Sequence, residues 1–298
     1  MTGSRHTGDL IGPLCIVGAM VLTGTTGTAQ ALGPDDIDAI AVGVFRLLLG
    51  GPVLLALSLR GVPFRNLPFR NMAVAAVAMA AYQPLFFGGT ARAGVAVGTI
   101  VTMASAPVFA GLLETVLLHR RPDARWTAAT AVAVVGVILV MAPPGGEAFG
   151  RTGTLLSLGA GLAYATFAMA TKHVVADHSP TAVMGVALTA AGILLAPLLL
   201  IADVGWVATG RGTLSVLHLG LLATAAAYVL YGRGLARVPV AETTTLSLVE
   251  PVMAAGLGLL VLGEAFTWPM AVGALLVGGS LLVVGTSDRA TAGRPGIG

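Results

Sequence analysis

Ten runs of predominantly apolar residues divide this chain almost from end to end, at about 10–32, 37–59, 72–91, 95–118, 126–143, 152–172, 180–202, 213–235, 239–262 and 268–286. Each matches the roughly 17–25 residues a helix needs to cross the hydrocarbon core of a bilayer. Short breakers separate them: Gly33-Pro34-Asp35-Asp36, the Arg60 to Arg70 stretch with Pro63 and Pro68, Arg120-Arg121-Pro122-Asp123, Pro143-Pro144-Gly145-Gly146 and Asp177-His178-Ser179-Pro180. No linker is long enough to hold a soluble domain. Hydrocarbon offers no hydrogen bonds to an open backbone, so only helices or a closed barrel can span it. The alternating strands of about ten residues that make a barrel are absent. The pattern therefore predicts an all-α integral membrane protein with ten transmembrane helices.

Composition agrees. The chain is 56% hydrophobic and 10% charged, with a mean hydropathy of +0.92, against about a quarter charged residues in soluble domains. The net charge of +3 makes no basic stripe, which excludes a nucleic-acid partner. The basic residues instead report topology. With the N-terminus inside, twelve of the 16 Lys and Arg fall in cytoplasmic segments, among them Arg65, Arg120, Arg121 and Lys172. Only Arg92, Arg151 and Arg211 fall outside, and Arg46 lies within a span. That bias places both termini in the cytoplasm of a multi-pass plasma (cytoplasmic) membrane protein, embedded in lipid. Ala29-Gln30-Ala31 resembles a signal-peptide cleavage site. Cleavage there would remove the first helix and spoil the repeat described next, so the helix is expected to be retained. Cys15 is the only cysteine, so no internal disulfide forms; no Cys/His cluster suggests a metal, and no cofactor is expected.

The two halves echo each other. Pro107-Val108-Phe109-Ala110-Gly111 in the fourth run matches Pro251-Val252-Met253-Ala254-Ala255 in the ninth, 144 positions on, and Trp126 opens the fifth run as Trp268 opens the tenth. Five helices is an odd number, so the second copy enters the membrane from the opposite side. The expected units are residues 1–147 and 148–298, two inverted five-helix repeats, an architecture that holds solute near the midplane at the repeat interface.

These residues resemble the drug/metabolite transporter superfamily, specifically its EamA-type ten-helix exporters. The resemblance rests on a proline-centred helix ending in Gly-Glu, carried by Glu250-Pro251 through Leu262-Gly263-Glu264, then Trp268 and the Gly273, Gly278, Gly279 ladder. Phe45-Arg46-Leu47 is similar to an aromatic-Arg element of the family's second helix. The first half departs from the motif, with His119-Arg120 in place of Gly-Glu. Arg120-Arg121-Pro122 with Trp126, and Asp177-His178-Ser179-Pro180, resemble the threonine/homoserine exporter branch. The resemblance implies transport, with amino-acid export as its leaning.

The residues themselves nominate a site. Glu250 lies about eleven residues into the ninth run, roughly 16 Å deep at a rise of about 1.5 Å per residue. A carboxylate at that depth costs roughly 2.5–3.5 kcal/mol and marks a functional position. Pro251 frees the carbonyl of Ser247, and Thr243, Ser247 and Glu250 share a helical face able to hold an ammonium group or exchange a proton. Arg46 sits at similar depth in the second run, suited to neutralise Glu250, to bind a solute carboxylate, or to lock the fold through backbone carbonyls. Tyr228 and Tyr231 with Thr224, Tyr82 and Gln83 before Pro84, Tyr164, and the Thr23, Thr26, Gln30 face complete the candidate lining; their plainer reading is interhelical hydrogen bonding, worth about 0.6 kcal/mol per pair. Pro107 and Pro251 are the candidate hinges, bending symmetry-related helices at one depth. Glu114 is expected to snorkel or to pair with Arg120 and Arg121. His119, His173, His178 and His218 are expected to be solvated, and Glu264 to stabilise an outer turn.

The function these features predict is secondary transport, in the export direction, of small polar or amphiphilic metabolites such as amino acids, by alternating access around a central cavity. No Gly-x-x-x-x-Gly-Lys-Ser/Thr loop for ATP exists. Proton coupling through Glu250 and simple uniport would leave the same sequence, as would a monomer and a homodimer. The rivals are an intramembrane enzyme, which needs a His-Glu-x-x-His or paired-aspartate constellation that is absent, and a receptor or scaffold, which calls for larger soluble loops.

Overall fold

The computed structural model describes residues 10–59, 67–141 and 151–285. Ten helical spans follow the ten apolar runs: α1 Ile11–Ala31, α2 Ala39–Ser58, α3 Phe69–Ala93, α4 Val95–Leu118, α5 Ala124–Met141, α6 Arg151–Val175, α7 Pro180–Leu200, α8 Gly210–Arg237, α9 Val240–Val261 and α10 Trp268–Gly285. The chain is thus an all-helical, multi-pass membrane protein. Arg60, Pro63, Arg65, the Pro143–Gly146 breaker, the repeat boundary and both termini lie outside the described residues.

Several breakers act as helix caps. Asp38 Oδ1 accepts from Ile40 N at 2.7 Å and Ala41 N at 2.9 Å to open α2, and Asp123 Oδ1 accepts from Trp126 N at 2.6 Å to open α5. Ser179 caps α7 with Pro180 at the first helical position, where a missing N–H costs nothing.

The repeat is visible in backbone geometry. α4 and α9 both end on a left-handed residue, His119 at φ 54° and Gly263 at φ 70°. The following amide reaches back six residues in each, Arg120 N to Glu114 O at 3.2 Å and Glu264 N to Gly258 O at 3.0 Å. In both, the amide after the left-handed residue satisfies a carbonyl that the helix end leaves open. The Gly-Glu motif and its His-Arg substitute therefore build the same turn.

Cross-repeat pairs hold the bundle together. α5 crosses α10 where Gly136 meets Gly273: a Cβ at Gly136 would lie 2.7 Å from the Gly273 carbonyl oxygen. α2 crosses α7 where a Cβ at Gly185 would lie 2.8 Å from Leu55 N. In lipid, where burial gives helices no hydrophobic reason to meet, such backbone-close crossings supply the packing.

Three spans are irregular within their length, and all three border the centre. α1 is interrupted between Thr23 and Thr26, and α9 between Leu246 and Val249. α8 carries a π-helical stretch, His218–Ala226, of the kind often found at functional sites. The breaks in α1 and α9 abut: a Cβ at Gly24 would lie 3.1 Å from the Glu250 carbonyl oxygen. The two candidate hinge prolines sit in different local structure. α4 runs unbroken through Pro107, whereas Pro251 follows the α9 break. Nor is the Ser247 carbonyl left free, because it accepts from Glu250 N at 3.0 Å. Shortening the local bonding from four residues to three re-pairs the group that proline orphaned.

Candidate functional site

A cavity of about 50 Å³ lies where these irregularities converge. α1 contributes Met20 and Thr23, α2 Arg46, α3 Met79, Tyr82 and Gln83, α4 Thr102 and Met103, α6 Tyr164, α8 Tyr228 and Tyr231, and α9 Ser247 and Glu250. Helices of both repeats meet there. Of the thirteen residues nominated from the sequence, nine line this space, although they are spread over more than two hundred positions.

Thr26, Gln30, Thr224 and Thr243 do not, and Thr243 is the one nominated together with Glu250. It is fully buried away from the cavity, and its hydroxyl has no partner while its carbonyl accepts from Ser247 Oγ at 2.9 Å. Ser247 N also donates to that carbonyl at 3.0 Å, so Thr243 sits one regular turn before Ser247, on the side away from the cavity, and the α9 break follows both. Ser247 Oγ also meets Tyr164 OH at 2.8 Å.

Arg46 is tethered to the π-helical part of α8. Its Nε donates to Thr224 Oγ1 at 3.1 Å and Nη2 to the Ala223 carbonyl at 3.4 Å. Those bonds fix the guanidinium in place and leave it on the cavity wall. Glu250 interacts electrostatically with Arg46 and has Thr23 beside it, yet no ion pair joins the two charges. The cavity thus holds one positive and one negative group, each with spare bonding capacity.

An aromatic wall lines the same space. Ring centroids are 6.2 Å apart for Tyr82 and Tyr164, 6.3 Å for Tyr164 and Tyr231, and 5.5 Å for Tyr228 and Tyr231. Phe167, fully buried, backs Tyr228 and Tyr231 at 6.1 Å and 6.4 Å. The Tyr231 hydroxyl is buried without a hydrogen-bond partner of good geometry. A buried hydroxyl of that kind on a cavity wall is costly unless something else fills the space. The methionines Met20, Met79 and Met103 were not nominated from the sequence, since isolated methionines in apolar runs look like any other hydrophobe. They supply adaptable apolar surface.

Two other expectations are corrected. Glu114 neither snorkels nor pairs with Arg120 or Arg121. It is buried, and its Oε1 accepts from Val240 N at 2.7 Å and Ala241 N at 3.2 Å, capping α9. The unpaired amides at a helix start, together with the helix dipole, outcompete surface arginines that water already solvates. His218 is not solvated: its Nε2 meets Thr25 Oγ1 at 2.8 Å, tying α8 to the break in α1. Lys172, counted only as a topology charge, donates its Nζ to the carbonyls of Leu235 at 2.6 Å and Val238 at 2.9 Å at the end of α8.

The sequence matches the EamA-like transporter family twice, over residues 10–142 and 151–286. The chain belongs to the EamA-like transporter family. That makes it a transporter rather than an enzyme. It is 39% identical over 278 residues to an uncharacterized transporter, YwfM, of Bacillus subtilis, covering 93% of this chain and 94% of that protein. It is 34% identical over 225 residues to a probable terminal-alkyne amino-acid exporter of Streptantibioticus cattleyicolor, covering 72% and 71%. It is 31% identical over 223 residues to the threonine/homoserine exporter RhtA of Escherichia coli, covering 67% and 72%. A solved crystal structure superposes with a TM-score of 0.82 at 20% identity, over 95% of this chain and 99% of that one, a likeness of fold.

Proposed function

We propose that this transporter exports small zwitterionic metabolites of the amino-acid class by alternating access around the central cavity. The observation that carries the reading is the pair of opposite, unpaired charges on one cavity wall. Arg46, held from behind by Thr224 and Ala223, offers its guanidinium to a solute carboxylate, which it suits by geometry. Glu250 accepts the ammonium group. The tyrosine wall holds the side chain and attracts the cation through its ring faces. The names of two relatives, both amino-acid exporters, support the same class.

In this reading residues 1–147 and 148–298 form the two rocking units, and the termini are cytoplasmic in the plasma membrane. Glu250 also serves as the exchangeable proton site in solute-coupled transport. The broken α1 and α9 supply local give beside the solute, with Pro251 keeping the α9 break from healing and Pro107 a softer flexure in α4.

The test is flux. Purified protein in liposomes is assayed by counterflow against amino acids, matched amines and matched carboxylic acids. Saturable exchange of amino acids, with neither single-charge analogue a comparable substrate, is expected. Equal exchange of the amines, or none of the amino acids, would refute the zwitterion reading.

A further inference from the structure

The face of the bundle that carries the α8–α9 turn is sealed, and a carboxylate seals it. Glu114 of the first repeat caps α9 of the second. Around that cap Leu235, Val238 and Val240 are completely buried. The contact crosses the repeats, so it must break whenever the repeats rock that face open.

The opposite face is not packed in the same way. A Cβ placed on Gly27, at the far end of α1, or on Gly256, in the far half of α9, would meet nothing within 4 Å. Val95 is 73% exposed, and no side chain caps the start of α4. Inverted symmetry says what belongs there. The offset of 144 positions that relates Pro107 to Pro251 also relates Ala96 to Val240 and Val97 to Ala241, so the amides of Ala96 and Val97 are the counterparts of the pair that Glu114 holds. The same offset makes Gly258 the counterpart of Glu114, and a glycine has no carboxylate to offer. The structure supplies one from elsewhere. The Glu264 carboxylate folds back over Gly258 and occupies the space where a side chain at 258 would begin. The shared left-handed turn makes this possible, because it brings the residue six positions on back alongside the helix. A Cβ at 258 would displace that carboxylate. Among the described residues no donor holds Glu264, which is exposed.

We propose that Glu264 is the second gate carboxylate, capping the Ala96 and Val97 amides of α4 when this face closes, as Glu114 caps α9 when the other does. The α3–α4 and α9–α10 turns both follow odd-numbered spans, so they lie at the same face and can meet. The second repeat thus keeps the cap chemistry of the first while moving the carboxylate from the helix to the residue after its cap. This rests on the alternating-access reading above.

The test reads conformation rather than flux. Spin labels replace Ala91 and Thr267, both exposed at this face, in a Cys15→Ala background, and pulsed-dipolar distances are measured in lipid nanodiscs. Two distance populations are expected, the shorter being the closed face. A helix cap is worth about 1 kcal/mol, so Glu264→Ala should lower the short-to-long ratio about fivefold, with Glu264→Gln in between. Glu114→Ala should raise the ratio by a similar factor, a reversal that a general loss of stability does not produce. The long-distance population present in each variant reports that it is folded. Two populations with a wild-type ratio in Glu264→Ala would overturn the gate and leave alternating access standing. A single population in every variant would overturn both.

Discussion

Glu250→Gln separates charge from shape at the centre of the cavity. In the structure this carboxylate makes no ion pair, and Arg46 spends its bonds on Thr224 and Ala223. The amide therefore leaves no protein cation stranded, and Thr23, beside the carboxylate, can donate to it as well. Folded yield and thermal stability should stay near wild type. A hydrogen bond to a charged group is worth about 1.5–3 kcal/mol, so affinity for an amino acid should fall about tenfold to a hundredfold. The assay is equilibrium binding by calorimetry in detergent, with three ligands of one skeleton: the amino acid, the 2-hydroxy acid lacking the amine, and the amino alcohol lacking the carboxylate. Glu250→Gln should weaken the amino acid and the amino alcohol and spare the hydroxy acid. Arg46→Gln should do the reverse, weakening the amino acid and the hydroxy acid while sparing the amino alcohol. If Glu250→Gln bound the amino acid at wild-type affinity, or weakened all three ligands alike, the assignment of the ammonium to Glu250 would be wrong.

Removing the Glu114 carboxylate removes the cap of α9, worth about 1 kcal/mol, so Glu114→Ala should lose about that much stability. Glu114→Gln, which keeps one acceptor, should lose less, both read by thermal unfolding in detergent. Gly273→Leu forces a side chain into the Gly136 carbonyl and should cost about 1–3 kcal/mol through overpacking. Gly279→Leu, where a Cβ meets nothing within 4 Å, should be near neutral, and equal effects would refute the crossing. In a Cys15→Ala background, a cysteine at Asp36 should react with an impermeant thiol reagent added outside, and one at Arg121 should react only after permeabilisation. The opposite pattern would invert the proposed orientation.

All ten spans could be read from the sequence, because a bilayer imposes one length and one backbone solution on any run that crosses it. The family could be read as well, since Pro251, Gly263-Glu264 and Trp268 are local and closely spaced. Even the polar lining was largely legible: in a chain this apolar a midplane Glu250, an Arg46 or a cluster of tyrosines must face something other than lipid. The partners were not legible. That Arg46 grips a π-helical stretch of α8, that Glu114 caps α9 instead of reaching for arginines, and that His218 ties α8 to α1 all join residues over a hundred positions apart. Hydropathy says how deep a residue sits but not which helix stands beside it. The same limit explains Thr243, which lies one regular turn before Ser247, because spacing along a helix does not say where a cavity ends. The break in α9 between Leu246 and Val249 is legible in part, since Pro251 lacks the amide that would pair the Ser247 carbonyl. What stands against it is decided only by the tertiary structure, which brings the Glu250 carbonyl against Gly24 of α1, because a proline interrupts its own helix but selects no neighbour.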